Sequence, residues 1–420
     1  MSSIYDSCFQ VLKTVLHDKI MFAVSLKKHS HSIKKDEFQS VSSLCGLFLR
    51  NYYFITTLSE AILKTNQEEP KIYLGLAYVN NDIKHIVDKN ETYAYLTKKL
   101  ALYQIKFTDE VKQKMEISCK DKKTFLKETF GFSGKKSGFK FLASRNNLPE
   151  WVVTTLLKQY DKEIAIRSIN AMTRMPRQFV SLNKVLLPVP PVEFERDYKL
   201  VDENAYEFQS TSSVRKNQFV RTGEALPIQL AEVDFAKHLP DLKDSFITLF
   251  FVDKNGFYPL LLNKYLKNNK VSIIAQSQRN NPELFNKIKN ERKEGLDIYE
   301  STESGICTHL SEKQNLLIFM PKSSNLELLR RTPEYGILFD TNQLDSIISN
   351  ELEELCDITQ YVEEGGYLAY CVPTFNIKET MIITKEFLEK HKEFQLENDK
   401  IYFPYEKENS VFYYALFKRK

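Results

Sequence analysis

The sequence predicts a multidomain fold, with an N-terminal helical bundle, a short α+β connecting block and a C-terminal α/β domain. Three observations favour this fold class. The chain has 420 residues, which corresponds to two or three domains at roughly 150 residues each. Apolar residues have helical spacing in the first third, whereas short apolar runs alternate with helical segments from about residue 195 onward. Pro188, Pro190 and Pro191 interrupt regular structure between these two parts.

The first ~130 residues show the periodicity of amphipathic helices. Apolar positions three and four residues apart predict helices over residues 3–19, 38–63, 71–87 and 92–103. Glycine and proline are scarce here, and no segment alternates as a strand would. We therefore expect a bundle of about five helices in a domain spanning residues 1–135.

Residues 112–140 form a basic stretch that contains nine lysines and only three acidic residues. Because it ends in GFSGKKSGFK, we interpret it as a flexible linker or loop. Lys135, Lys136 and Lys140, with the nearby Arg145, are candidates for contacts with RNA phosphates. A solvated linker without a ligand is the alternative interpretation.

The charge is distributed unevenly, although the formal net charge of the whole chain is only +4. Residues 1–190 hold 30 basic and 18 acidic residues, a net charge of +12. Residues 191–420 hold 29 basic and 37 acidic residues, a net charge of −8. This asymmetry is typical of a protein whose first part meets a polyanion, although a solvated lysine-rich surface would give the same numbers.

A connecting block is expected at residues 145–190. The segment LPEWVVTTLLKQYDKEIAIRSINAM predicts two helices, and Pro149 suits the start of the first of them. The following QFVSLNKV alternates like a strand.

The C-terminal domain, residues 191–420, shows strand–helix alternation. Short apolar runs predict buried strands at residues 247–252, 271–275, 315–319 and 367–372, and an aromatic strand at 411–417. Helical segments are predicted at 259–267, 282–293, 344–359 and 378–391. This order predicts a doubly wound α/β domain.

Several classes of protein are disfavoured by the composition. The six cysteines form no CxxC pair and have no neighbouring histidine cluster, so we expect neither a metal site nor a disulfide framework. Only 12 glycines are present, which argues against glycine-rich phosphate loops. No apolar run approaches the ~20 residues that span a bilayer, and the N-terminus lacks a signal-peptide pattern, so a cytoplasmic protein is expected.

Five segments occur in an order that matches a known family. They are residues 147–183 with their P-x-W opening, PIQLAEVDFAKHL at 227–239, LELLRRTPE at 326–334, EEGGYLAYCVPTFNIKE at 363–379 and NSVFYYALFKRK at 409–420. In these segments the chain resembles the RsmB-type enzymes, which are Nol/Nop/Sun-family ribosomal RNA cytosine-5 methyltransferases. The resemblance implies a NusB-like helical domain, a Rossmann-like methyltransferase sheet and an RNA partner, namely ribosomal RNA or a small-subunit particle.

The cofactor residues of that family are mostly missing. Its glycine loop, D-x-C-A-A-P-G-G-K-T, corresponds to LFFVDKNGFY at residues 249–258, so that Gly256 is the sole remnant. Leu249, Ala275 and Ser301 occupy positions where the family has acidic residues that hold S-adenosylmethionine. We therefore expect no bound cofactor, and S-adenosylmethionine only if the chain is an active enzyme.

The catalytic cysteines are altered as well. Pro373 occupies the position of the nucleophile, and Cys371 lies two residues earlier, which moves the sulfur by about 6–7 Å along a strand. The position of the second cysteine falls on Ser323 or Lys322, depending on the register. No catalytic residue is therefore expected, and Cys371 would be the nucleophile only in an active enzyme; otherwise it is a core residue.

The leading hypothesis is a monomeric RNA-binding protein that has lost methyl transfer, with no DNA or membrane partner. Its expected RNA contacts are Lys135, Lys136, Lys140, Arg145, Lys322, Arg330 and Arg331. The alternatives are an active methyltransferase with divergent motifs and a NusB-like protein-interaction module. We also predict that residues 247–275 form strand–loop–helix–strand, and that Phe250, Phe251, Phe257 and Tyr258 block the cofactor crevice.

Overall fold

The computed structural model describes the chain apart from residues 1–3, 131–134, 211, 252–256, 277–293, 302–309, 311 and 408–409. The chain divides into two compact units. The helical unit comprises Met1–Arg174 and Leu328–Asp340, and the sheet unit comprises Met175–Glu327 and Thr341–Lys420. The division into domains 1–135, 145–190 and 191–420 stays a prediction.

The described part of the helical unit begins with eleven α-helices. They are α1 Ile4–His17, α2 Phe22–His29, α3 Phe38–Arg50, α4 Tyr52–Leu63, α5 Glu68–Val79, α6 Lys89–Ala101, α7 Asp109–Lys120, α8 Lys122–Phe130, α9 Lys135–Asn146, α10 Glu150–Gln159 and α11 Lys162–Ala171. All four predicted helical segments are present. The segment 38–63 forms two helices, α3 and α4, with Asn51 between them.

The prediction of a flexible linker at residues 112–140 is wrong, and so is the expected number of about five helices. Most of this basic stretch lies in α7, α8 and α9. The Thr108 hydroxyl accepts a hydrogen bond from the Val111 amide and caps α7. Met115 and Leu126 are fully buried in the core shared with α1 and α3. The lysines therefore cover the outer faces of amphipathic helices whose few apolar residues pack inward.

The sheet unit contains a small antiparallel sheet and a large, mostly parallel one. The small sheet has the order β2-β3-β1-β4, with β1 Phe179–Leu182, β2 Tyr198–Asp202, β3 Ala205–Phe208 and β4 Ala225–Ile228. The large sheet has the order β10-β11-β9-β8-β5-β6-β7. Its strands are β5 Phe246–Phe251, β6 Lys270–Gln276, β7 Leu296–Ser301, β8 Gln314–Met320, β9 Val362–Val372, β10 Phe394–Tyr402 and β11 Phe412–Arg419. Strands β5 to β9 are parallel, and β11 is antiparallel to both β9 and β10.

The helices of the later part of the chain are α12 Val192–Asp197, α13 Gln218–Arg221, α14 Leu230–His238, α15 Tyr258–Tyr265, α16 Leu328–Arg331, α17 Tyr335–Leu338, α18 Leu344–Asp357 and α19 Met381–Lys390. Of these, α16 and α17 belong to the helical unit. The predicted helix at 282–293 lies outside the described residues.

Two hydrophobic layers cover the large sheet. Leu249 of β5 packs in a layer with Phe235 of α14 and Leu261 of α15. The next residue, Phe250, packs in the opposite layer, which contains Leu355 of α18 and residues of α19. Because successive strand residues face opposite layers, a parallel strand buried on both faces is apolar throughout. The doubly wound α/β domain predicted from the sequence is confirmed.

Candidate functional site

The carboxyl ends of β5, β6 and β7 form the edge where a doubly wound sheet binds its ligands. Phe251 pairs with Ala275, and Gln276 pairs with Ser301, so these strand ends lie side by side. Leu249 and Ala275 are buried. At these two described positions the chain offers no carboxylate to hold S-adenosylmethionine, and we derive no step through that cofactor.

The segment 247–275 has the predicted order of elements, with β5, α15 and β6 in sequence. The loop 252–256, which contains Gly256, lies outside the described residues. Phe251, Phe257 and Tyr258 are buried in the layer that holds α14 and α15, and Phe250 packs 5.4 Å from the ring of Phe319 in the opposite layer. Blocking of the cofactor crevice by these four rings stays a prediction.

Cys371 lies in β9 as a core residue. Its side chain is fully buried in the same layer as Ala369 and Tyr414. Burial raises the pKa of the Cys371 thiol well above its usual value, and the charge of Glu232 acts in the same direction. Since the thiolate is the nucleophilic form of cysteine, this thiol is chemically inert in the folded protein at neutral pH.

A buried polar cluster lies where β8 and β9 end. The Glu379 carboxylate accepts hydrogen bonds from the Ser324 amide at 2.6 Å and from the Ser324 hydroxyl at 2.7 Å. It also accepts bonds from the Asn376 amide group at 2.9 Å and the Thr374 hydroxyl at 3.4 Å. Burial raises the pKa of Glu379, while these hydrogen bonds to the carboxylate oppose the rise. Four donors thus occupy the carboxylate and tie the loop after β8 to the loop after β9.

This Glu379 cluster was not predicted as a site. Glu379 ends the segment that resembles the family's G-G-x-L strand, at the position of a glutamate in the family's pattern, so the signal was present in the sequence. The hydrogen bonds were not foreseeable, because Ser324 and Glu379 are 55 residues apart in the chain.

Glu351 of α18 is a second buried acid near Glu379. Burial raises its pKa well above the usual range of a glutamate, and the charges of Glu379 and Glu354 raise it further. The Tyr370 hydroxyl, which donates a 2.8 Å hydrogen bond to the Glu379 carbonyl, acts in the opposite direction on Glu351. Burial therefore favours the neutral carboxylic acid form of Glu351.

The predicted RNA contacts fall in both units. Lys135, Lys136, Lys140 and Arg145 lie on α9 of the helical unit. Lys140 and Arg145 are exposed. Lys322 follows β8 in the sheet unit and is also exposed.

Arg330 and Arg331 lie in α16 of the helical unit. Arg330 is 3% exposed and donates a hydrogen bond to the Arg174 carbonyl. Burial lowers the pKa of Arg330 to about 10, and the charges of Arg331 and Arg174 contribute. Arg331 is half-buried. Arg330 is thus buried within the helical unit, and RNA contact through Arg330 and Arg331 stays a prediction.

Within the ranges that the structure describes, no group of three or more histidines, cysteines and acids is arranged to hold a metal ion. No helix in the same ranges combines the length and apolarity needed to cross a membrane.

The fold is shared with solved methyltransferase structures. No protein-family model matches the chain, and no curated protein matches its sequence. PH0851 is similar in structure with a TM-score of 0.71 and 12% identity, and the match covers 100% of both chains. A methyltransferase homolog protein from Pyrococcus horikoshii has a TM-score of 0.52 and 12% identity over 67% of this chain and 99% of its own. NSun6 from Pyrococcus horikoshii, solved with SFG, has a TM-score of 0.54 and 11% identity over 64% and 98%.

Likeness at such identities establishes the fold alone. Together with the order of the large sheet, it shows that the sheet unit has the Rossmann-like fold of methyltransferases. The specific resemblance to RsmB and the NusB-like character of the helices stay predictions.

Proposed function

We propose that this chain is an RNA-binding protein built on a methyltransferase fold, and that it does not methylate cytosine by the two-cysteine route. The observation that carries the proposal is the chemistry at the ends of β8 and β9. Pro373, Ser323 and Ser324 occupy this edge, and the nearby thiol of Cys371 is buried in the core.

Methyl transfer to carbon 5 of cytosine requires a thiolate that adds to carbon 6, because carbon 5 is a poor nucleophile. A serine replaces a thiolate only with an activating base. Ser324 does contact the Glu379 carboxylate, but its hydroxyl is 1% exposed and also lies 3.0 Å from the Thr374 hydroxyl. The Ser324–Glu379 pair is therefore a structural contact, because the buried serine is not accessible to a cytosine ring.

RNA binding is supported by charge. The described part of α9 presents Lys140 and Arg145 to solvent, and the first 190 residues carry a net charge of +12. Such groups bind phosphate without a cofactor. We propose ribosomal RNA or a small-subunit particle as the target, bound by a monomer.

The test is a titration of S-adenosylmethionine into the full-length protein, followed by a methyl-transfer assay on ribosomal RNA fragments. We expect neither binding nor transfer, together with salt-sensitive binding of the RNA. The control variant is Cys371→Ala, which removes the only thiol on β9.

Micromolar binding of the cofactor, with 5-methylcytosine that disappears in Cys371→Ala, would favour the active methyltransferase. A protein partner that survives ribonuclease treatment, in the absence of RNA binding, would favour the protein-interaction module.

A further inference from the structure

A small cavity lies inside the helical unit, between the ends of α3, α9 and α11 and the helix α16. Its volume is about 100 Å³. The polar residues that line it are Arg50, Asn146, Asn147, Thr173, Arg174 and Arg330. Three arginines from three distant parts of the sequence therefore line one small cavity.

The charge around this cavity is strongly positive. No acidic side chain is present among the described residues that line it. Glu334 is the carboxylate whose charge acts on Arg50, and one of its oxygens accepts the Phe22 amide at 3.1 Å. Arginine stays protonated in proteins, so three positive charges line the cavity. Burial is the main cause of the lowered pKa of Arg330, and the charges of Arg331 and Arg174 contribute.

The walls of the cavity are held in place by hydrogen bonds. The Asn147 side chain accepts the Phe54 amide at 3.1 Å and donates to the Asn51 side chain at 3.2 Å. Arg330 donates to the backbone carbonyl of Arg174. These bonds fix the link between α9 and α10 and the position of α16, so the Arg330 side chain is positioned before any ligand arrives.

The size of the space restricts the ligand. A volume of about 100 Å³ suits one small tetrahedral group. Guanidinium groups recognise phosphate oxygens through paired, charge-assisted hydrogen bonds.

We propose that the cavity bounded by Arg50, Arg174 and Arg330 is an oxyanion site that binds one phosphate group. Two sources share this chemistry: a phosphate of an RNA backbone and free phosphate. The proposal goes beyond RNA binding by the chain, since a site for free phosphate requires no RNA.

The test uses the full chain and the variant Arg174→Gln. The Arg174 side chain is exposed, and its backbone carbonyl, which accepts the Arg330 hydrogen bond, is kept in the variant. The matched control is Arg167→Gln, which removes the same charge from an exposed position on α11 in the same unit. A second variant, Arg50→Lys, keeps the charge but removes the planar fork that pairs with phosphate.

Two measurements separate the sources of phosphate. Inorganic phosphate is titrated by calorimetry at constant ionic strength against chloride, and a single-stranded RNA oligonucleotide is titrated in phosphate-free buffer. We expect Arg174→Gln to weaken at least one of these affinities roughly tenfold or more, Arg50→Lys to weaken the same one, and Arg167→Gln to leave it within about twofold.

The outcomes are distinct. Loss of RNA affinity in the cavity variants identifies a backbone phosphate, and loss of phosphate affinity alone identifies a free ligand. A protein that binds phosphate in the cavity but no RNA would refute the proposed function and keep the site. The cavity proposal is overturned if the cavity variants match Arg167→Gln in both titrations.

Discussion

Glu351 illustrates how a single buried residue makes stability depend on pH. Its folded pKa is raised above the unfolded value of ~4.3, mainly by burial. A group of this kind contributes stability that is fully present below the unfolded pKa and is lost as the pH rises through the folded pKa. The native protein therefore becomes less stable above about pH 4.3, to the extent that Glu351 must stay protonated.

The variant Glu351→Gln should remove this loss of stability, because glutamine carries no titrating proton. We expect the difference in unfolding free energy between variant and wild type to increase with pH, by at most about 1.4 kcal/mol per pH unit. Urea unfolding at pH 5, 6, 7 and 8 measures it. The exposed neighbour Glu353 supplies the control variant Glu353→Gln. A difference that is constant across this range would contradict the assignment of Glu351 as a neutral acid.

Cys371→Ala tests the interpretation of that thiol as a core residue. The change removes a buried sulfur and should cost about 1 kcal/mol of stability through the small cavity it leaves. RNA affinity should not change. In the native wild type, a thiol reagent should modify the half-buried Cys356 before Cys371, which stays unmodified until the protein unfolds. Rapid labelling of Cys371 in the native protein would contradict its burial.

For single residues, the sequence predicted which side chains matter better than it predicted the groups that they contact. Cys371 is fully buried in a hydrophobic layer, and its lack of a catalytic role stays a prediction. Arg330 was expected on an RNA-binding loop, whereas its side chain is buried against the Arg174 carbonyl. These two residues are 156 positions apart, and no local pattern indicates such a contact.

Among the elements, α17 shows how closely two helices can approach through a glycine. A Cβ atom added at Gly336 would lie 2.6 Å from Pro149 and 2.9 Å from Leu329. We expect Gly336→Ala to destabilise the protein by about 1–3 kcal/mol, since a packed interior accommodates an extra methyl group only by strain.

Gly138 of α9 supplies the matched control, because a Cβ atom there would meet nothing within 4 Å. Gly138→Ala should stabilise the protein by about 0.5–1 kcal/mol through the helix propensity of alanine. Thermal and urea unfolding of both variants measure the two effects. Equal effects of the two substitutions would show that packing around α17 is looser than described.

The elements that periodicity predicted well are those with a continuous apolar face. Strands β5, β6, β8 and β9 lie between two hydrophobic layers, so their sequences are apolar runs that flank the helices. Strand β10 was missed, because it is an edge strand with mostly exposed polar residues in FQLENDKIY. Antiparallel backbone pairing with β11 holds β10 in the sheet, and the residue pattern of β10 alone does not indicate this pairing.

For the whole molecule, RNA binding should depend steeply on salt. Each phosphate neutralised in single-stranded RNA adds roughly 0.7 to the slope of log affinity against log salt concentration. Lys135→Glu/Lys136→Glu should weaken binding to a similar degree for RNAs of different sequence, because ammonium–phosphate contacts carry little base information. Fluorescence anisotropy at several salt concentrations measures the slope.

The matched control is Lys385→Glu on α19, an exposed lysine of the sheet unit that pairs with Glu389. Each lysine-to-glutamate change lowers the net charge by two, in the control as in the double variant. The control should nevertheless have little effect on RNA affinity. Binding that is independent of salt, or an equal effect of the control, would place the RNA surface elsewhere than α9.

The division into units was the least predictable feature at this scale. Composition and charge separated a basic helical part from an acidic α/β part. Nothing in the sequence indicated that Leu328–Asp340 packs with the helices, because its contact partners lie far away in the chain. The Phe22 amide, for example, donates a hydrogen bond to Glu334, 312 residues later.

That returning segment sets the order in which the protein is completed during synthesis. The ribosome releases residues 1–174 first, but the ring of Phe339, which stacks on Trp151 at 5.3 Å, arrives only after the intervening residues 175–327. At roughly 5–20 residues per second, that interval lasts on the order of 10–30 s. During this interval the Trp151 ring lacks its stacking partner Phe339. The unit that begins first is thus finished late, and its Trp151–Phe339 contact forms only after the intervening residues 175–327 have been made.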